Sequence, residues 1–244
     1  MFVLESLLDR PATKSPAIRE MLSSFGHEEP LLDILGPIYA VANAGTFFGG
    51  ALRIRPLVGV DDEQGVTVTD TVTLWNDVQG WKRWHPFFET ADVFVFADTA
   101  LGDLLGVVPG DTRVVVVRTS AYAIETLDVA WPDLFASLAT DPRLGETALD
   151  LDFTRDAMNA LGSPAIDDVL SWRVPPRLGG ARSVENLETT PLALHVDFQL
   201  QLLHQALIVH RLPPGTPLPP VDLEETAEGE MRVRLRCFSS PSQR

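Results

Sequence analysis

Between Val93 and Asp128 the chain holds four short runs rich in valine, leucine and isoleucine, at residues 93–97, 103–108, 113–119 and 122–128, parted by loops carrying Gly102, Pro109-Gly110-Asp111 and Ser120. Links this short join antiparallel strands, because a parallel crossover needs a dozen residues or more. An antiparallel meander at the centre of the chain is therefore expected. Ahead of it, residues 2–8, residues 16–26 and a run from Pro30 read as helices, the last kinked or split by Gly36-Pro37. Residues 51–57 set Leu52, Ile54 and Pro56 against Arg53 and Arg55, the pattern of a half-buried edge strand. The first half of 66–74 reads as a strand, and the spacing of Leu74, Val78 and Trp81 suits a helix after it. Beyond the meander, 131–139 and 153–161 are expected as helices, with a shorter one at 165–172. Leu192, Leu194, Val196 and Phe198 alternate with Ala193, His195 and Asp197, which predicts a strand, followed by a helix over 200–212. The proline-rich stretch 213–220 is an extended connector. A last strand alternates Met231, Val233, Leu235 and Cys237 with Arg232, Arg234 and Arg236.

At 244 residues, 45% hydrophobic and 22% charged, the chain is long and apolar enough to bury a sizeable core, which excludes global disorder. Nineteen Lys and Arg against 34 Asp and Glu leave a net charge of -15. That argues against direct nucleic-acid binding, which needs a positive surface. One cysteine, Cys237, permits no intrachain disulfide and no multi-cysteine metal site, as suits a reducing compartment. Residues 2–8 are interrupted by Glu5 and lack a basic leader and cleavage site, and no segment offers ~18 uninterrupted apolar residues. A cytoplasmic protein without a membrane partner is expected.

The strong catalytic signatures are missing: no Walker loop, no dinucleotide Gly-x-Gly-x-x-Gly, no nucleophile elbow and no His-Glu-x-x-His. Glycines 45, 49 and 50 lack the lysine and hydroxyl of a phosphate loop and read as a turn between helix and strand. His204 and His210 are six apart, on opposing helix faces, so they are no i, i+4 ligand pair. His195 falls on the polar side of its expected strand, and His85 follows an aromatic cluster. Cys237 reads as an ordinary buried thiol. Neither cofactor nor metal site is expected. Trp75, Trp81 and Trp84, with Phe87 and Phe88, form the densest aromatic region, either core or a binding surface. The arginines of the last strand either pair with the acids before them, Asp222, Glu224, Glu225, Glu228 and Glu230, or form a solvated face. Asp98 and Asp103 flank a tight turn, where aspartate commonly bonds its own backbone.

That strand, turn and strand, VFVFADTALGDLLGV, resembles the hallmark of the SUKH superfamily. Collinear pieces agree: Asn43-Ala44-Gly45, Trp75-Asn76, the Trp131-Pro132-Asp133-Leu134-Phe135 helix, Pro175 to Gly180, Glu185-Asn186-Leu187, Gln201 to Gln205 and Leu212 to Thr216. The resemblance spans about Leu31 to Pro220 and departs from the family at Ala44 and over the tail from Val221. It implies an α+β fold with a bent, mainly antiparallel sheet flanked by helices, over residues 1–220, with 221–244 as an acidic segment and terminal strand packed on the same domain. It also implies binding rather than catalysis, since bacterial members are immunity proteins against toxins and eukaryotic relatives are regulatory scaffolds.

Resemblance and charge together lead to a non-catalytic immunity protein that masks a cognate toxin through an acidic surface. Contact residues are placed at Trp75, Trp84, Asp98, Asp103 and Glu125. If the toxin is a basic nuclease, carboxylates would occupy the place of substrate phosphates. Two alternatives stand beside this: a housekeeping adaptor or scaffold, and a small hydrolase using Asp98 or Asp103 with a histidine, which requires carboxylate and imidazole within hydrogen-bond reach in a pocket.

Overall fold

The computed structural model describes residues 8–12, 35–39, 44–57, 60–61, 67–68, 71–77, 80–84, 93–108, 110–121, 123–213, 216–227 and 231–236. The expected helix at 16–26, most of that at 2–8, and His85, Phe87, Phe88, Glu228, Glu230 and Cys237 lie outside the described residues.

The protein is α+β, and the central meander forms as expected. Its strands are Leu8–Ala12 (β1), Ala44–Phe47 (β2), Leu52–Ile54 (β3), Phe94–Thr99 (β6), Leu104–Val107 (β7), Arg113–Arg118 (β8) and Ala123–Ala130 (β9). They make one seven-stranded sheet in the order β1-β2-β3-β6-β7-β8-β9, antiparallel at every joint. The short strands Val60–Asp61 (β4) and Thr67–Val68 (β5) pair with each other in the β3 to β6 connection. The four-residue helix Val72–Trp75 (α1) follows, shorter than the helix expected through Leu74, Val78 and Trp81, and Trp81 lies in a separate 3-10 turn, Trp81–Trp84.

Valines 114 to 117 are all buried, because this antiparallel sheet is covered on both faces, and a doubly covered strand reads as a continuous apolar run. On one face Phe94, Phe96, Leu105, Val107, Val114 and Val116 pack with Leu35 and Tyr39 and with the helix Leu134–Thr140 (α2). On the other, Val95, Leu104, Val115 and Val117 meet Trp75, Trp81 and the helix Leu192–His204 (α5). The expected helix at 131–139 opens as a 3-10 turn, Trp131–Asp133, before α2. Asp141 then caps Pro142–Leu149 (α3), accepting from the Arg143 amide at 2.9 Å, with Pro142 in the first turn. Asp150, left-handed at φ 50, ends α3 and turns the chain into Leu151–Leu161 (α4).

Five expectations are corrected. Residues 165–172 hold no helix: Asp168–Trp172 (β10) is a strand paired with Leu187–Pro191 (β11), its Leu170 and Trp172 packed beside Phe153 of α4. Residues 192–198 are the first half of α5 rather than a strand, and α5 runs on into a π turn, Gln205–Val209. Residues 8–12, at the end of the expected first helix, are strand. The glycine stretch links two strands, β2 and β3, through a 3-10 turn at Phe48–Gly50, instead of a helix and a strand. And β3 is interior, between β2 and β6, with Arg53 and Arg55 each only 1% exposed.

The chain's end forms a separate hairpin, Val221–Glu225 (β12) with Met231–Leu235 (β13). Val233 and Leu235 pack on α5, and the Gln201 side chain accepts from the Val233 amide at 2.8 Å. On its outer face Arg234 pairs with Glu224 and Arg236 with Asp222, all exposed, so the arginines both pair with the acids and face solvent. Leu192–Val209 is the one helical stretch among the described residues long and apolar enough to cross a membrane, with half of it buried inside the fold. His195, Asp197, Gln199 and Gln201 interrupt it, as in a core helix.

Candidate protein-binding site

Arg53 and Asp98 are direct cross-strand partners on β3 and β6, which sets their side chains on one face of the sheet. Asp98 is fully buried and accepts from both Arg53 Nη2 and Arg55 Nε. The guanidinium of Arg53 also donates to the carbonyls of Ala165, Asp168 and Thr99, and that of Arg55 to Asp167 at 3.1 Å. One carboxylate thus ties the sheet to the entry of β10. Asp98 therefore does not bond its own turn; its role is to neutralise two buried cations.

Asp103, across the turn, braces the neighbouring hairpin. Its carboxylate accepts from the Thr119 amide at 3.0 Å and from Arg118 Nη1 at 2.9 Å. Burial pushes its pKa up, opposed by Arg118 and the bonds from Thr119. Arg118 also donates to Glu125 at 2.9 Å and to the last carbonyls of α3, Thr147 and Ala148. Gly102, at φ +85, sits where a Cβ would meet the His195 ring at 2.5 Å, so only glycine fits between turn and helix.

His195 is buried on α5. Its ring bonds the Ser171 hydroxyl at 2.8 Å and the Thr119 hydroxyl at 3.1 Å. Burial lowers its pKa to about 4, assisted by Arg53 and opposed by Asp98. Among the described residues His195 makes no direct hydrogen bond to Asp98 or Asp103; the Thr119 hydroxyl stands between ring and carboxylate, 3.1 Å from His195 Nε2 and 3.4 Å from Asp103 Oδ1.

Asp103, Arg118 and Glu125 open onto a cleft of about 560 Å³. Its far wall is the α3–α4 junction and the 172–182 loop, with Glu146, Thr147, Asp150, Trp172, Arg177 and Arg182. Arg182 pairs with Asp150 and lies 5.2 Å over the Phe153 ring, which stacks on Trp172 at 5.6 Å. Burial raises the pKa of Asp150, with Glu146 adding to the shift and Arg182 opposing it. Arginines thus hold the carboxylates of Asp103, Glu125 and Asp150 in place along the cleft, while Glu146 accepts from the Asp152 amide at 3.0 Å.

Of the five residues assigned from sequence, Asp103 and Glu125 meet in this cleft. Trp75 and Asp98 lie inside the fold, 3% and 0% exposed. Trp75 contacts Trp81 ring to ring, its carbonyl accepts from Trp81 Nε1, and it supports the sheet. Trp84 is half-buried elsewhere, donating to Asp197 at 2.7 Å with its ring edge against His204. Sequence reasoning missed Arg118, Glu146, Asp150, Trp172 and Arg182. Arg177 stood in the Pro175 to Gly180 stretch already marked, the only hint of the cleft's far wall.

Comparison with known proteins adds three findings. No curated protein matches the chain. Among solved structures, the crystal structure of Atu4351 from Agrobacterium tumefaciens is similar at 12% identity and a TM-score of 0.48, covering 93% of each chain. A family model described as "T6SS immunity protein Tdi1, C-terminal" matches residues 132–203, the stretch that supplies Glu146, Asp150, Trp172, Arg177 and Arg182 to the cleft.

Proposed function

We propose that this is a non-catalytic immunity protein of the bacterial cytoplasm, which binds a cognate toxin and masks it through the carboxylates around the cleft. The observation that carries this reading is the likeness of residues 132–203 to an immunity-protein family, because that stretch builds one wall of the cleft. The net charge of -15 supports it, since an acidic surface steers a basic partner and can occupy the place of nucleic-acid phosphates on a nuclease. Asp103 and Glu125 are assigned to the contact surface together with Glu146, and Trp84, packed on Asp197 and His204 away from the cleft, is left outside it. A SUKH-type hairpin at residues 93–108 belongs to the same reading and rests on its sequence pattern.

Co-expression with the product of the adjacent gene tests it. That product is expected to arrest growth alone and to be harmless beside the wild-type protein. The double variant Glu125→Lys with Glu146→Lys changes two exposed charges and is expected to lose protection while keeping its melting temperature within a few degrees. Full protection by the double variant would overturn electrostatic masking, and a harmless or purely metabolic neighbour that the protein binds would turn the reading to the adaptor.

A further inference from the structure

β9 is the last strand of the sheet order and pairs only with β8 among the described residues. Its five consecutive residues Glu125–Val129 line a groove of about 640 Å³, whose opposite wall is the α2–α3 corner with Thr140, Asp141 and Leu144. An unpaired strand edge presents a row of backbone donors and acceptors, a ready template for a further strand. The groove meets the cleft at Glu125 and Thr147, which line both.

Charge selects the occupant. Glu125, Asp128 and Asp141 face the groove against a single cation, Arg143. A second copy of this chain laid along β9 would bring its own Glu125 and Asp128 up to the same acidic edge, which like-charge repulsion across a strand pair disfavours. An extended segment with lysine or arginine at alternate positions brings complementary charge to Asp128 on one side of the strand and lays its other side chains on the side of Glu125 and the half-buried Leu144.

We propose that the groove beside β9 receives an extended, basic segment of the toxin as an added strand. This rests on the immunity reading for the identity of the partner, and the groove is also testable without it.

The probe is a fluorescein-labelled Lys-Val-Lys-Val-Lys-Val peptide, titrated by anisotropy onto the full chain at low and high salt. Binding that weakens with salt is expected, with a drop of about tenfold or more in Asp128→Lys with Asp141→Asn, where asparagine keeps the α3 cap. Glu224→Lys, on the distant hairpin, is the control and is expected to leave affinity unchanged. Equal affinity in the groove variant and wild type, or self-association through β9 in sedimentation, would overturn the proposal. Hydrogen exchange with the adjacent gene's product bound is expected to slow amides of β9. If that product binds and β9 exchanges as before, strand addition fails while immunity stands. If it does not bind at all, the immunity reading fails and the peptide titration decides the groove.

Discussion

A single carboxylate at position 98 holds two arginines inside the sheet. Buried ions are costly unless paired, and removing one partner leaves the others unpaired in low dielectric. Asp98→Asn keeps the shape and strips the charge, so it is expected to cost about 3 to 5 kcal/mol, read as a fall in the urea midpoint. A stability loss under 1 kcal/mol would mean the arginines find other partners. His195 makes the site acid-sensitive. The unfolded chain takes up a proton near pH 6.5 that the folded chain refuses until about pH 4. Its contribution is thus complete above pH 6.5 and declines as pH falls toward 4, by up to about 3 kcal/mol. His195→Gln is expected to flatten that part of the stability profile, and an unchanged slope would contradict the assignment. Neither role was visible from the residues alone: Arg53 and Arg55 alternate with apolar neighbours just as a solvated face does, and only the cross-strand register with Asp98 brings them inside.

Among the elements, the meander was legible because its turns are short and marked by glycine, so local chemistry decides its pairing. α5 was not. Leu194 and Phe198 complete an alternation that mimics a strand, yet the buried set Leu192, Val196, Leu200 and Leu203 follows helical spacing. The helix is covered on several sides by the sheet, the β10–β11 hairpin and the terminal hairpin, so the one-sided stripe that marks a surface helix is blurred. Two truncations separate the alternatives. Leu200→Ala is expected to cost about 2 to 5 kcal/mol and Leu194→Ala, 55% exposed, less than about 0.5 kcal/mol. Equal costs would favour a strand face shared by Leu192, Leu194 and Val196. β10 and β11 escaped notice for a related reason: among the described residues they pair only with each other, across a 14-residue excursion that carries no hairpin signal.

For the whole molecule, the charge excess set the expectation of a binding role, which the proposed function keeps. The cleft was not legible there, since it forms only where α3, α4 and the 172–182 loop fold back on the β8–β9 hairpin. Masking through the four carboxylates of the cleft, as proposed, implies an ionic-strength signature. Association with a basic toxin is expected to slow markedly between 50 and about 500 mM salt, with dissociation changing less. Stopped-flow fluorescence reads both rates, and an association rate indifferent to salt would remove charge from the account. The most direct test of the central claim is stoichiometry. When toxin activity is titrated with this protein, masking predicts a linear fall to zero at one equivalent, immediate and reversed when the two are separated. Inactivation by a small fraction of an equivalent, growing with time and persisting after separation, would show chemistry performed on the toxin and contradict the account.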